Sequence, residues 1–146
     1  IPRRYASFVY QHGLSGLDSL SDGAKAFLPA LPIPFDINLP GYQAMLAMGG
    51  GHGGETLPMA QASKDATMAH FILSNLSGGQ PFVHFNGAYH SQNREGISWY
   101  LKQSNSDLDI VAIHGHRQDN VLAPDSADLQ MGDFLIITNE RMTKTH

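Results

Sequence analysis

Apolar side chains recur at intervals of three and four residues through much of the chain, which is the spacing of amphipathic helices. This pattern predicts helices over residues 2–12, 41–48, 56–75 and 93–105. The longest of them, over 56–75, has Ala62, Ala66 and Ala69 on one face. Because alanine is small, we expect this helix to pack closely against a sheet.

Short continuous apolar runs predict buried strands, which we expect within residues 81–90, at 110–114 and at 134–138. The first strand runs into the turn residues Asn86-Gly87 and presents Tyr89 and His90 beyond its end. Strand, helix and strand in this order imply a right-handed parallel unit. The predicted fold is therefore α/β, with a small, mostly parallel sheet flanked by helices.

Three strands form a small sheet, and their apolar runs require cover on both faces. The chain also begins without methionine, as though in the middle of a protein. We therefore expect residues 1–146 to form a single domain that is the carboxyl-terminal part of a larger α/β domain. Another chain or an absent amino-terminal segment would complete the sheet.

Prolines and glycines interrupt the regular pattern at two places. Four prolines between residues 29 and 40 predict an extended strap or linker. Residues 49–54 contain five glycines, whose ordering costs much backbone entropy. This glycine-rich loop is expected to be mobile unless a ligand or partner orders it.

Composition narrows the possible partners. The formal net charge is −4, and the nine Lys and Arg residues are scattered along the chain. This distribution argues against nucleic acid as a partner. Because cysteine is absent, disulfides and thiolate metal sites are excluded.

Histidine is abundant, with eight residues, and four of them fall near the predicted carboxyl ends of two strands: His84, His90, His114 and His116. Residues two apart on a strand share a face, so the rings of His114 and His116 should lie together. Neutral imidazole binds divalent zinc, iron, nickel and copper. His90, His114 and His116 are thus candidate metal ligands, whereas His84 is expected to be a core histidine.

A second group of potential ligands surrounds the glycines: Tyr42, Met45, Met48 and His52. Haem iron accepts tyrosine, histidine and methionine as axial ligands. Methionines and aromatics at helical spacing are also common core residues. The segment predicts either ordinary core packing or a site for a flat apolar ligand.

Three motifs resemble the haem-binding uptake family, the ChaN-like lipoproteins: AQASKDATMA at residues 60–69, FNGAYH at 85–90 and EGISWYL at 95–101. The opening IPRRYA and the LPGY at residues 39–42 also resemble that family. The resemblance covers most of this chain, but it corresponds to about the carboxyl-terminal half of such a protein.

The resemblance implies a bacterial outer-membrane lipoprotein or periplasmic protein of iron uptake. It further implies a homodimer that sandwiches haem, with tyrosine as an iron ligand. Tyr42 and Tyr89 are the candidate ligands, with Tyr5 a weaker one and His52 and His90 as further cofactor-binding candidates. No catalytic residue is assigned.

The family is also similar to the Tiki proteases and erythromycin esterases, which share the motif found here as Gly87-Ala88-Tyr89-His90. The alternative function is therefore a metal-dependent hydrolase that uses this motif. In those relatives the motif works with a Gly-Glu-x-His motif, which this sequence lacks.

Overall fold

The computed structural model describes residues 3–48 and 54–143. Its helices are α1 (Arg3–His12), α2 (Asp22–Lys25), α3 (Pro40–Met48), α4 (Thr56–Asn75) and α5 (Ile97–Ser104). Its strands are β1 (Ile113–Gln118) and β2 (Phe134–Asn139). The α/β class is confirmed, and α4 begins and ends where the apolar spacing predicts.

Helix α4 is the centre of the core. Ala62, Ala66 and Ala69 are buried on one of its faces, and the helix packs chiefly against α1 and α5. Tyr5 and Val9 are the buried residues that α1 contributes to this core. The small alanine side chains therefore allow other helices to approach α4 closely. The prediction that α4 packs against a sheet is wrong.

The proline-rich strap lies over this helical core. Ile33 from the strap, and Leu28 immediately before it, are buried in the core cluster. The hydroxyl of Tyr100 in α5 donates a hydrogen bond of 2.7 Å to the carbonyl of Pro34. The segment is thus an ordered strap that holds α5.

The sheet consists of β1 and β2, which pair in parallel from Ile113 opposite Phe134 to Gln118 opposite Asn139. The predicted small parallel sheet is confirmed. The predicted pairing of a strand within residues 81–90 with the strand at 110–114 is wrong, because among the described residues the 81–90 segment forms no strand and β1 begins at Ile113. Ile113, Phe134 and Ile136 are exposed on this sheet. The two strands therefore leave an apolar face uncovered.

The prediction of a buried strand within residues 81–90 is wrong. Residues 81–87 form no strand within the described chain, and the side chain of Phe85 is 91% exposed. A strand exists only through hydrogen bonds to a neighbour, and no described segment pairs with this one. His84, expected in the core, is accordingly exposed.

Asp133 fastens the sheet to the segment before α5. Its carboxylate accepts a 2.8 Å hydrogen bond from the amide of Ala112 just before β1. It also accepts hydrogen bonds of 2.9 and 2.5 Å from the guanidinium of Arg94. These hydrogen bonds lower the pKa of Asp133.

Candidate functional site

One face of α4 carries two polar residues one turn apart, Gln61 and Asp65, and both are buried. His90 approaches them from the short 3-10 turn Ala88–His90. Its Nδ1 lies 2.5 Å from Oδ1 of Asp65 and 2.7 Å from Nε2 of Gln61. The turn and the helix are thus joined through a single imidazole nitrogen.

The proton on His90 can be assigned from these contacts. Nδ1 cannot both donate to Asp65 and accept from Gln61, and a hydrogen bond to a carboxylate is the stronger of the two. Nδ1 therefore carries a hydrogen and donates a hydrogen bond to the Asp65 carboxylate. The Gln61 amide then turns its oxygen, which accepts, toward Nδ1. In the neutral imidazole the free lone pair is then on Nε2, as in a histidine that a carboxylate prepares for ligation.

Burial controls the ionisation of Asp65. The side chain has no exposed surface, and desolvation raises its pKa to about 6, although the hydrogen bond and charge of His90 and the charge of Lys64 act in the opposite direction. Its second oxygen, Oδ2, makes no hydrogen bond within the described part of the chain. Asp65 is therefore a carboxyl group whose protonation changes near neutral pH.

Two buried tyrosines, Tyr42 and Tyr100, interact electrostatically with Asp65. Desolvation raises the pKa of Tyr42, and the neighbouring Tyr100, Asp65 and Glu95 add to that increase. Burial likewise raises the pKa of Tyr100. Both phenols therefore remain neutral, and Tyr42, which is 4% exposed, lies away from solvent.

Gly96 allows the close approach of His90 to α4. Its φ of 54° lies in the left-handed region, and a Cβ there would come within 2.4 Å of the His90 carbonyl oxygen and 3.1 Å of Oδ2 of Asp65. Glycine is therefore required at this position. The next residue in the chain, Ile97, begins α5.

A cavity of about 410 Å³ lies beside this polar cluster, a volume within the roughly 300–1,000 Å³ of ligand pockets. Its lining is largely apolar, with three polar side chains; the residues are Met45, Met48, Leu57, Ala60, Gln61, Lys64 and Tyr89. Tyr89 is 57% exposed and Met48 is 65% exposed. The cavity is therefore accessible from solvent.

The predicted cofactor ligands fall in different places. Tyr89 lines the cavity, and His90 is the next residue in the chain. Tyr42 and Tyr5 are buried, and the Tyr5 hydroxyl donates a 3.0 Å hydrogen bond to the Ala24 carbonyl. His52 and most of the predicted mobile loop lie outside the described residues.

His114 and His116 lie on β1, as expected on one face, with their ring centroids 6.3 Å apart. The third residue near them is Asp128, whose Oδ2 lies 3.3 Å from Nε2 of His116. Ligand atoms of these three residues lie within 4.8 Å of one another. Their group does not include His90, which contacts Asp65 instead.

Sequence reasoning missed Gln61, Lys64, Asp65 and Asp128. For Asp65 a signal was present, because a carboxylate three residues after Ala62 and four before Ala69 lies on the apolar face of a helix. A buried carboxylate in such a position requires a partner. Asp128 lies in a polar stretch between strands and carries no comparable signal.

The fold and site define a small α/β protein with a carboxylate-histidine pair next to an accessible apolar cavity. Residues 1–101, more than half of the chain, match the family described as "Haem-binding uptake, Tiki superfamily, ChaN". The chain belongs to this family, which confirms the resemblance read from its motifs. The match contains the cavity and the His90–Asp65 pair, and it ends before β1.

No curated protein and no solved structure matches the chain significantly. Among the described helices, none combines the length and apolar character needed to cross a membrane.

Proposed function

We propose that this protein binds haem in the cavity between α3, α4 and Tyr89, as part of bacterial haem or iron uptake. The observation that carries the proposal is the composition of the cavity wall. Met45, Met48, Leu57 and Ala60 provide an apolar surface, which suits the flat face of a porphyrin.

The polar residues of the wall match the polar parts of haem. Haem carries two carboxylates, and Lys64 places a positive charge at the cavity. Tyr89 supplies a phenol, which is one of the axial ligands that proteins use for haem iron. We assign Tyr89 as the iron ligand in preference to Tyr42, because Tyr42 is buried and absent from the wall.

The polar cluster behind Tyr89 serves to position it. Asp65 holds His90, the residue after Tyr89, at 2.5 Å. This contact fixes the turn that carries Tyr89 against α4. Bound haem would supply an iron centre, and the chain would hold and orient it.

The family resemblance extends the proposal to location and assembly. We expect a bacterial cell-envelope protein, either periplasmic or attached to the outer membrane, that acts as a homodimer. The exposed apolar residues Ile113, Phe134 and Ile136 are consistent with a further chain segment or a second copy covering the sheet.

Haemin titration of the 146-residue chain, followed by the Soret band, tests this proposal. We expect a saturable shift with one haem per cavity. Tyr89→Phe should remove the spectral features of tyrosine ligation and weaken binding. Tyr42→Phe should retain those features, because its hydroxyl lies in the core.

Tyr10→Phe is the matched control, since Tyr10 is an exposed tyrosine on α1 and does not line the cavity. A wild-type chain that gives no Soret shift would overturn the proposal. A spectrum changed by Tyr42→Phe and unchanged by Tyr89→Phe would overturn the ligand assignment.

A further inference from the structure

His114, His116 and Asp128 form a cluster of ligand-type side chains outside the haem cavity. The two histidines are i and i+2 on β1, so both rings project from one face of the strand. Asp128 begins the 3-10 turn Asp128–Gln130 in the connection between β1 and β2. The parallel crossover thus returns a carboxylate to the face that carries both imidazoles.

Two of the three side chains are more deeply buried than polar side chains at a protein surface usually are. Only 8% of His114 and 6% of Asp128 are exposed. Carboxylates are rarely this buried unless they are paired or bind a metal. The buried side chains of the cluster therefore require binding partners other than bulk water.

The direct contacts within the cluster are few and long. Nε2 of His116 is 3.3 Å from Oδ2 of Asp128, which is longer than the usual 2.7–2.9 Å of a charge-assisted hydrogen bond. The ring of His114 stacks near that of His116 and makes no hydrogen bond within residues 3–48 and 54–143. A cation between the three side chains would give each of them a direct bond.

We propose that His114, His116 and Asp128 bind a divalent transition-metal ion of the zinc class. Two imidazole nitrogens and one carboxylate oxygen are a ligand set found for zinc and for non-haem iron, with water in the remaining positions. Ligands on one tetrahedral zinc ion lie about 3.4 Å apart, given bonds of about 2.1 Å. The ligand atoms here, within 4.8 Å of one another, need only small side-chain rotations to reach that spacing.

The surroundings favour a cation. Arg117 follows His116 on β1, but residues adjacent on a strand face opposite ways. The positive charge of Arg117 therefore lies on the other face from the cluster. Its guanidinium donates a 2.5 Å hydrogen bond to the Glu140 carbonyl. A second cavity, of about 220 Å³, has His84 and His114 in its wall, which leaves room for exchangeable ligands.

This site is independent of the proposed haem site. It lies in the region after residue 101, where the family match ends. It also uses neither His90 nor any residue of the apolar cavity. Metal binding here would therefore be a property of this chain beyond what the family match assigns.

Zinc binding to the untagged 146-residue chain tests the proposal, measured by competition with a chelating dye. We expect one Zn²⁺ per chain, with affinity lowered tenfold or more by each of His114→Gln, His116→Gln and Asp128→Asn. With Co²⁺ as the probe, wild-type protein should give visible absorption bands that the three variants lose.

Two control variants separate the cluster from nonspecific binding. Asp125→Asn removes an exposed carboxylate three residues from Asp128, and His12→Ala removes an exposed imidazole on α1. Both should bind Zn²⁺ as the wild type does. The proposal also predicts that Zn²⁺ raises the Tm of wild type and controls, and not that of Asp128→Asn.

Three results would overturn the proposal. They are absence of zinc binding by the wild-type chain, equal affinity in wild type and Asp128→Asn, and an equal loss in Asp125→Asn. Because Asp128→Asn keeps the size and an acceptor oxygen of the side chain, it decides the outcome even if a histidine variant fails to fold.

Discussion

Nδ1 of His90 lies 2.5 Å from Oδ1 of Asp65, although the two residues are 25 positions apart in the chain. This contact links the turn after the exposed segment 81–87 to the central helix α4. It fixes the proton of His90 on Nδ1 and holds Tyr89 next to the apolar cavity. The pair therefore connects the stability of the core to the geometry of the proposed ligand site.

The first prediction concerns pH and Asp65. Its pKa in the folded protein, about 6, exceeds the ordinary value of 3.8, so the folded state binds the proton more tightly than the unfolded state does. Stability from this group must then decrease as pH rises from about 4 to about 6, by up to about 3 kcal/mol. Asp65→Asn should flatten the decrease, as measured by urea unfolding across that range.

Asp18→Asn provides the comparison for this measurement, because Asp18 is exposed and lies in the 3-10 turn Leu14–Ser19, outside the site. It should retain the wild-type pH dependence. A decrease of equal slope in Asp65→Asn would show that another group is responsible.

The second prediction concerns Gly96. An alanine there would adopt an unfavourable φ of 54° and place Cβ against the backbone of His90. We expect Gly96→Ala to lower the free energy of unfolding by about 2–5 kcal/mol. Gly23→Ala, in α2 with nothing within 4 Å of the new Cβ, should change it by less than about 1 kcal/mol. Similar results for the two variants in urea denaturation would contradict this account.

The third prediction concerns the charge of Lys64. If it faces a haem carboxylate, Lys64→Ala should weaken haemin binding about two- to fivefold, because a partly exposed ion pair contributes up to about 1 kcal/mol. The wild-type affinity should also fall with added salt. Lys25→Ala, on α2, is the control that should bind haemin normally. Salt dependence that is equal in wild type and Lys64→Ala would exclude this role.

The fourth prediction concerns the attachment of the sheet. Asp133→Ala removes the acceptor for the Ala112 amide and for Arg94. Hydrogen exchange at the Ala112 amide should accelerate, whereas the core amides of α4 should be unaffected. Asp109→Ala, an exposed carboxylate before β1, should leave both unchanged. Protection at Ala112 that persists in Asp133→Ala would contradict the assignment.

Local patterns predicted the elements that depend on local interactions. Helix α4 has a continuous apolar face and a tolerated Pro58 in its first turn, and its bounds followed from the sequence. Residues 81–87 carry an equally apolar pattern, but strand formation depends on a distant neighbour. The pattern alone therefore could not distinguish a paired strand from an exposed extended segment.

The same distinction applies to the site. Tyr89 and His90 were found because they follow a turn signal and a family motif. Asp65 and Asp128 acquire their roles only through contacts with His90 and His116, residues 25 and 12 positions away. The spacing of Asp65 on α4 indicates its burial, but the identity of its partner His90 and the role of Asp128 arise from tertiary packing, which spacing along the chain does not reveal.

Lys64 and Asp65 are neighbours on α4, and the positive charge of Lys64 helps to keep the Asp65 carboxylate ionised. A bound anion that neutralised Lys64 would remove that help and raise the affinity of Asp65 for hydrogen ions. Ligand binding near pH 6 would then be accompanied by net uptake of protons from the buffer. Calorimetric titrations in two buffers with different ionisation enthalpies would register this uptake as a difference in apparent heat.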